Sequence, residues 1–115
     1  MTPDPRSTDL AIAEELTRRI RDAVGSRLRK VILLGSRARG DARVDSDFDL
    51  LVVLRDLTPG ETRPLRLLLY RALRGCGVNA EPWVMSEQEF AETRSVIGGL
   101  AYPASTEGVV LYENP

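Results

Sequence analysis

A run of apolar residues, 50–54, constrains the fold of this chain more than any other feature of the sequence. A short, uninterrupted apolar run bounded by polar residues is typical of a buried strand, since a half-solvated strand alternates apolar and polar residues. Residues 31–34 form a second such run, which ends at Gly35-Ser36, and residues 78–85 form a third apolar segment. We therefore expect a sheet with buried strands at its centre.

Helical periodicity separates these predicted strands. Apolar residues recur at spacings of three and four from Leu10 to Val24, and Gly25 ends this pattern. Residues 65–73 predict a second helix, with Pro64 tolerated only in its first turn. A capping box at residues 86–89 predicts the start of a short third helix.

The order of these elements predicts a single domain of the α/β (α+β) class over residues 1–115, with residues 1–7 as a flexible arm. Residues 108–112 add a last short strand, which gives a small mixed sheet of about four strands flanked by helices. A chain of 115 residues is an ordinary length for one such domain.

Composition excludes several kinds of chemistry. The chain has no histidine, so Ser-His-Asp and Cys-His catalysis and His-ligated metals are excluded. Its one cysteine, Cys76, excludes a disulfide framework and a Cys-only zinc site. Carboxylates, arginines, hydroxyls and backbone amides remain for any reaction.

Charge and hydropathy limit the partners and the compartment. The chain has sixteen basic and seventeen acidic residues, and this balance argues against duplex DNA as a partner. No segment approaches the run of about 20 apolar residues that a membrane span needs, and the N-terminus lacks a signal-peptide core. We expect a cytoplasmic protein with no membrane partner.

Gly35-Ser36, at the end of the first predicted strand, suits a phosphate. Glycine lets a ligand approach the backbone closely, and a following helical turn would present free amides and a positive dipole end. Ser36 adds a hydroxyl donor. An ordinary turn is the alternative.

Asp47 and Asp49 flank Phe48 at the start of the second predicted strand. Alternate residues of a strand share a face, so both carboxylates should point the same way. Such a pair repels itself unless a cation lies between its members, and oxygen-only ligands suit Mg²⁺. A solvated strand start is the alternative.

Glu81 is the one charged residue of the third predicted strand. A lone acid in an apolar strand needs a partner or an outward face. Because Pro82 cannot donate to a β-ladder, this strand should lie at a sheet edge. Protection of that edge by a charge is the alternative to a site residue.

Three motifs together resemble the polymerase-beta-like nucleotidyltransferase superfamily, and more closely its minimal nucleotidyltransferases, the MNT group. The resemblance covers nearly the whole chain from Val31 onward. The motifs are Gly35-Ser36-Arg37-Ala38-Arg39-Gly40, Ser46-Asp47-Phe48-Asp49-Leu50-Leu51-Val52 and Glu107-Gly108-Val109-Val110-Leu111-Tyr112-Glu113.

The resemblance implies a nucleotidyltransferase fold and metal-dependent transfer of a nucleotide from ATP. It implies that Gly35 and Ser36 hold the triphosphate and that Asp47 and Asp49 bind Mg²⁺, with two ions expected. Glu81 falls where the family has its third carboxylate, more often Asp, and would bind metal or take the proton of the attacking hydroxyl.

Arg39 is a further candidate for nucleotide binding within the first motif. The resemblance permits a phosphate contact by its guanidinium. The alternative is closure of the loop by a salt bridge to Asp41 or Asp45.

The resemblance also implies a partner. Larger relatives carry an added domain for the acceptor, and this chain ends where that domain would begin, so a second chain is expected to supply the acceptor. In MNT pairs that chain is a HEPN-type helical toxin, and the MNT protein is an antitoxin that can transfer AMP to a tyrosine of it. Self-association into a homo-oligomer is also compatible with the sequence.

Two other functions are compatible with the sequence. A binding module could neutralise a HEPN-type partner by contact alone, and a small-molecule nucleotidyltransferase could modify antibiotics.

Overall fold

A computed structural model describes residues 5–43, 45–96, 99, 101 and 107–114. Its helices are α1 (Pro5–Val24), α2 (Gly35–Arg39), α3 (Thr62–Ala72) and α4 (Glu87–Thr93). Its strands are β1 (Leu28–Leu34), β2 (Phe48–Leu54), β3 (Ala80–Ser86) and β4 (Val109–Glu113). Short 3-10 turns at Gly25–Arg27 and Pro59–Glu61 lead into β1 and α3.

The four strands form one mixed sheet in the order β3-β2-β1-β4. β1 lies antiparallel to both β2 and β4, whereas β2 and β3 are parallel and are joined through α3. This arrangement confirms the predicted class, a small mixed sheet flanked by helices. It also confirms that β3, which contains Pro82, lies at an edge of the sheet.

Helices cover both faces of the sheet, as the apolar runs require. One face packs against α1 and α3, and this layer fully buries Leu50 of β2, Leu16 of α1 and Leu69 of α3. The other face is smaller and packs Leu51 and Val53 against Phe90 of α4. Successive side chains of β2 point to opposite faces, and both faces are buried, which explains why all of residues 50–54 are apolar. In the described part of the chain, no helix has the length and apolar character needed to cross a membrane.

Some predicted boundaries differ from the observed ones. α1 begins at Pro5, before the helical pattern in the sequence, and residues 1–4 of the expected flexible arm lie outside the described residues. β1 begins three residues before the predicted strand because Leu28 pairs with Leu54 and is 1% exposed. The capping box is confirmed, with the Ser86 side chain accepting a hydrogen bond from the Glu89 amide at the start of α4.

Glu61 joins the turn before α3 to the segment before β1. Arg27 Nη1 lies 2.9 Å from Glu61 Oε2, and the backbone N–H of Thr58 donates to Glu61 Oε1 at 3.0 Å. These contacts, with the Arg27 hydrogen bond as the largest cause, lower the pKa of Glu61 from 4.5 to about 2.

We expect the melting temperature to fall as the pH is lowered from about 4.5 to about 2. The reason is that a carboxylate with a lower pKa in the folded state stabilises that state only while it is ionised. Glu61→Gln should therefore flatten this part of the acid transition in thermal melts, with Glu14→Gln on the exposed face of α1 as control. Equal acid sensitivity in wild type and Glu61→Gln would contradict the assignment.

Candidate active site

Gly35 brings the turn after β1 against β2. Its φ is +69°, and a Cβ built there would lie 3.1 Å from Asp49 Oδ2. A side chain at this position would be strained and would also press on the carboxylate. The glycine is therefore required for the approach of this backbone to Asp49, while the sequence predicted an approach to a ligand.

The antiparallel pairing of β1 and β2 explains this approach. Leu34, the last residue of β1, pairs with Asp49, so the Gly35-Ser36 turn necessarily begins beside that carboxylate. Asp49 is half-buried between the fully buried Phe48 and Leu50. Thus two motifs separated by ten residues in the sequence meet at one point of the structure.

Asp47 and Glu81 are neighbours of Asp49, the first along the chain and the second across the sheet. β2 begins at Phe48, so Asp47 precedes the strand by one residue and is exposed. Glu81 is in register with Asp49 across the parallel β2–β3 pair, which places the two side chains on neighbouring strands and the same face.

The pKa of Asp49 depends on the other two acids. Burial is the largest cause that raises the pKa of Asp49, and the charges of Asp47 and Glu81 raise it further. A hydrogen bond from Trp83 opposes this shift. Because the repulsion disfavours the charged form, a cation near the carboxylates would relieve it.

Glu81 has partners within the chain that the sequence did not reveal. Tyr70 of α3 donates its hydroxyl hydrogen bond to Glu81 Oε1, and Arg66 Nη2 lies 3.0 Å from the same oxygen. The hydrogen bond to Glu81 is the largest cause that raises the pKa of Tyr70. The lone acid of β3 is therefore held by α3.

Arg66 fixes this group of residues at the sheet edge. Its Nε donates to the Pro82 carbonyl at 2.7 Å, and its guanidinium stacks 4.2 Å from the centre of the Trp83 ring. Pro82 has no backbone N–H to donate to the β-ladder, but its carbonyl accepts this hydrogen bond from Arg66. Trp83, which the sequence shows only as an aromatic residue near Glu81, is thereby held beside Asp49.

The donor chemistry of the site fits a divalent cation at the aspartate pair. Asp47 and Asp49 supply oxygen ligands of the kind that Mg²⁺ binds together with substrate phosphates. Within the described ranges, however, no group of three or more Asp, Glu or Cys residues is arranged to hold a metal. Glu81 is near the pair, but its carboxylate is engaged by Tyr70 and Arg66.

Two cavities adjoin these acids. The smaller, of about 260 Å³, includes Gly35, Arg39, Asp49 and Trp83 in its lining. The larger, of about 690 Å³, is lined by residues from the β2 start, α3 and the β3 start, namely Asp47, Leu67, Tyr70, Leu73, Arg74, Gly75, Val78, Asn79, Ala80 and Glu81. The acids therefore lie between two spaces that could hold different groups.

Arg39 forms the salt bridge to Asp41 that was the alternative to a phosphate contact, and its role in nucleotide binding stays a prediction. It lines the smaller cavity, and its Nε is 3.4 Å from Asp41 Oδ2 in an exposed ion pair. An exposed pair of this kind contributes little stability, so it leaves the arginine accessible to a phosphate.

Arg37 was missed by the sequence analysis. It donates to the Ser46 carbonyl at 2.8 Å, pairs with Asp9 of α1 at 3.1 Å and stacks on the Phe48 ring. These contacts fix the loop before β2, which contains Asp47. In the sequence, Arg37 is one of several arginines of the same polar stretch, and nothing there distinguishes it.

The fold and the site define a known class of domain. Residues 14–94, more than half of the chain, match the family described as the nucleotidyltransferase domain. The chain belongs to this family, which confirms the resemblance on which the assignment of the site rests.

Solved structures share the fold. A presumed nucleotidyltransferase from Sulfolobus solfataricus is 23% identical, with a TM-score of 0.68 over 95% of this chain and 84% of that one. A toxin-antitoxin crystallised with AMP-PNP is also 23% identical, with a TM-score of 0.59 over 88% of this chain and 73% of the other. The toxin-antitoxin MntA-HepT is 19% identical, with a TM-score of 0.52 over 90% and 73% of the two chains. No curated protein matches this chain.

Proposed function

We propose that the chain is a Mg²⁺-dependent nucleotidyltransferase that transfers AMP from ATP to a hydroxyl of a HEPN-type partner protein, as the antitoxin of a toxin–antitoxin pair. The observation that carries the catalytic part is the close approach of Gly35 to Asp49, because it brings the turn proposed to bind phosphate beside an acid proposed to bind metal. The similar toxin-antitoxin structure with AMP-PNP supports an adenine nucleotide and a protein partner.

Each site residue has a role in this proposal. The Gly35-Ser36 turn binds the triphosphate, and Arg39 contacts it from the wall of the smaller cavity. Asp47 and Asp49 hold Mg²⁺, which when bound would neutralise phosphate charge and stabilise the attacking and leaving oxygens. Glu81 orients the attacking hydroxyl or takes its proton from the larger cavity, on the opposite side of Asp49 from the turn.

One observation favours a second function. The Glu81 carboxylate already has a tyrosine and an arginine as partners, so a third metal ligand is not free in this arrangement. A domain with such a site could neutralise its partner by contact alone. This binding module is the alternative that an experiment must distinguish.

The test is transfer of label from ATP. The protein is incubated with ATP labelled at the α-phosphate, Mg²⁺ and a lysate of its host, and the labelled species are identified by mass spectrometry. Label on a helical protein encoded beside this chain supports the proposal. Binding of that protein without labelling, at a stoichiometry unaffected by ATP, would establish the binding module instead.

Ser36→Ala should weaken ATP binding by about 1.5–3 kcal/mol, the usual contribution of a hydrogen bond to a charged group. The loss should appear in titrations with ATP and be absent with AMP, which has no β- or γ-phosphate. Ser26→Ala, in the turn between α1 and β1, is a matched control that should bind ATP normally. Equal losses for ATP and AMP would remove Ser36 from the triphosphate site.

A further inference from the structure

The hydroxyl of Tyr70 lies in an environment suited to a nucleophile. It donates a hydrogen bond to the Glu81 carboxylate and accepts one from Arg66 Nη2 at 3.3 Å. A carboxylate can remove the phenolic proton, and a guanidinium can stabilise the negative charge that develops on the oxygen. Tyr70 thus has both groups that activate a hydroxyl for attack.

Tyr70 also has access to the candidate active site. Its side chain is partly exposed and lines the larger cavity together with Asp47 and Glu81. Glu81 is in register with Asp49, so the carboxylate that Tyr70 reaches from α3 at the sheet edge belongs to the strand beside the proposed metal ligand Asp49. The phenol therefore stands on the side of the acids that we assign to the acceptor.

We propose that Tyr70 is an internal acceptor and that the protein transfers AMP to its own tyrosine. This inference rests on the proposed function, because it uses the same ATP and the same acids. Tyr70 Oη forms a bond to the α-phosphorus of ATP, and the bond from that phosphorus to the bridging oxygen of the β-phosphate breaks. Pyrophosphate leaves, and the phenolic proton passes to Glu81.

Modification would change the site itself. An adenylyl group on Tyr70 would occupy the larger cavity and remove the hydroxyl that donates to Glu81. A partner's hydroxyl could then no longer enter from that side. Self-modification would thus limit transfer to the partner whenever ATP is present and the partner is absent.

The first experiment uses the purified full chain with Mg²⁺ and no other protein. ATP labelled at the α-phosphate should label the chain, and the label should map to the tryptic peptide of residues 67–71. ATP labelled at the γ-phosphate should leave the chain unlabelled, because that phosphate departs in pyrophosphate. The fraction labelled per unit time should not depend on protein concentration, since the acceptor belongs to the same molecule.

Two tyrosine variants provide the comparison. Tyr70→Phe should lose all labelling, whereas Tyr112→Phe, on β4 beside Arg21, should be labelled as fast as wild type. Peptide mapping of the wild type locates the label without any variant, so a folding defect of Tyr70→Phe leaves the test intact. Label on another residue, or a labelling rate that rises with protein concentration, would overturn the inference.

Adding host lysate separates this inference from the proposed function. If a lysate protein is labelled and this chain never is, self-modification is wrong while transfer to a partner stands. If neither is labelled, both are wrong.

Discussion

Asp49→Asn should reduce nucleotidyl transfer by at least about 100-fold, a loss as large as that caused by removing a group that merely supports a metal ligand. The change keeps the size and the acceptor oxygen of the side chain but removes the charge that would hold Mg²⁺. Transfer is measured with ATP labelled at the α-phosphate. Asp22→Asn, on the exposed end of α1, is the matched control and should retain full activity.

The same variant should be at least as stable as wild type at neutral pH. Burial and two neighbouring acids raise the pKa of Asp49, so its ionisation in the folded state opposes folding as the pH rises through that pKa. Asparagine has no charge to bury. A lower melting temperature for Asp49→Asn than for wild type, without Mg²⁺, would contradict this account, and wild-type transfer would remove Asp49 from the metal site.

Gly35→Ala should reduce transfer by about 100-fold, the cost of displacing a catalytic group by about 1 Å. The new Cβ would lie 3.1 Å from Asp49 Oδ2 and force the carboxylate or the turn to move. The positive φ adds about 1–3 kcal/mol of backbone strain, measurable as a lower free energy of unfolding.

Gly25→Ala separates the two effects of that substitution. Gly25 also has a positive φ, +61°, but a Cβ there would meet nothing within 4 Å. This variant should lose similar stability and keep full transfer. If both variants lost transfer equally, the cause would be the general stability of the domain and not the contact with Asp49.

The central sheet could be predicted because its signal is local. The apolar run at residues 50–54 lies in a strand covered on both faces, and such burial leaves no position for a polar side chain. Pro82 likewise marked an edge strand through a property of one residue. The start of α1 was not predictable in this way, since residues 5–7 show none of the apolar periodicity that identifies the rest of the helix.

Short motifs indicated the candidate site best where its parts lie on strands that follow one another directly in the chain. Gly35 and Asp49 meet because β1 and β2 are antiparallel neighbours, and the two motifs stand at the end of one strand and the start of the next. The register of Glu81 with Asp49 depends on the crossover through α3 that connects β2 to β3. The hydrogen bonds of Arg66 and Tyr70 to Glu81 depend on how α3 packs against the sheet. Such contacts between distant segments are set by the whole fold, so no short motif reveals them.

Because β3 is an edge strand, the part of the site that it carries should open to solvent more often than the part on β2. β2 has a hydrogen-bonded neighbour on each side, whereas among the described residues β3 pairs with β2 alone. Local opening of an edge strand requires less free energy than global unfolding, so amides of β3 should exchange with solvent faster than those of β2. Each such opening carries Glu81 away while Gly35 and Asp49 stay together. In the proposed transferase, such an opening would interrupt transfer while the approach of Gly35 to Asp49 persists.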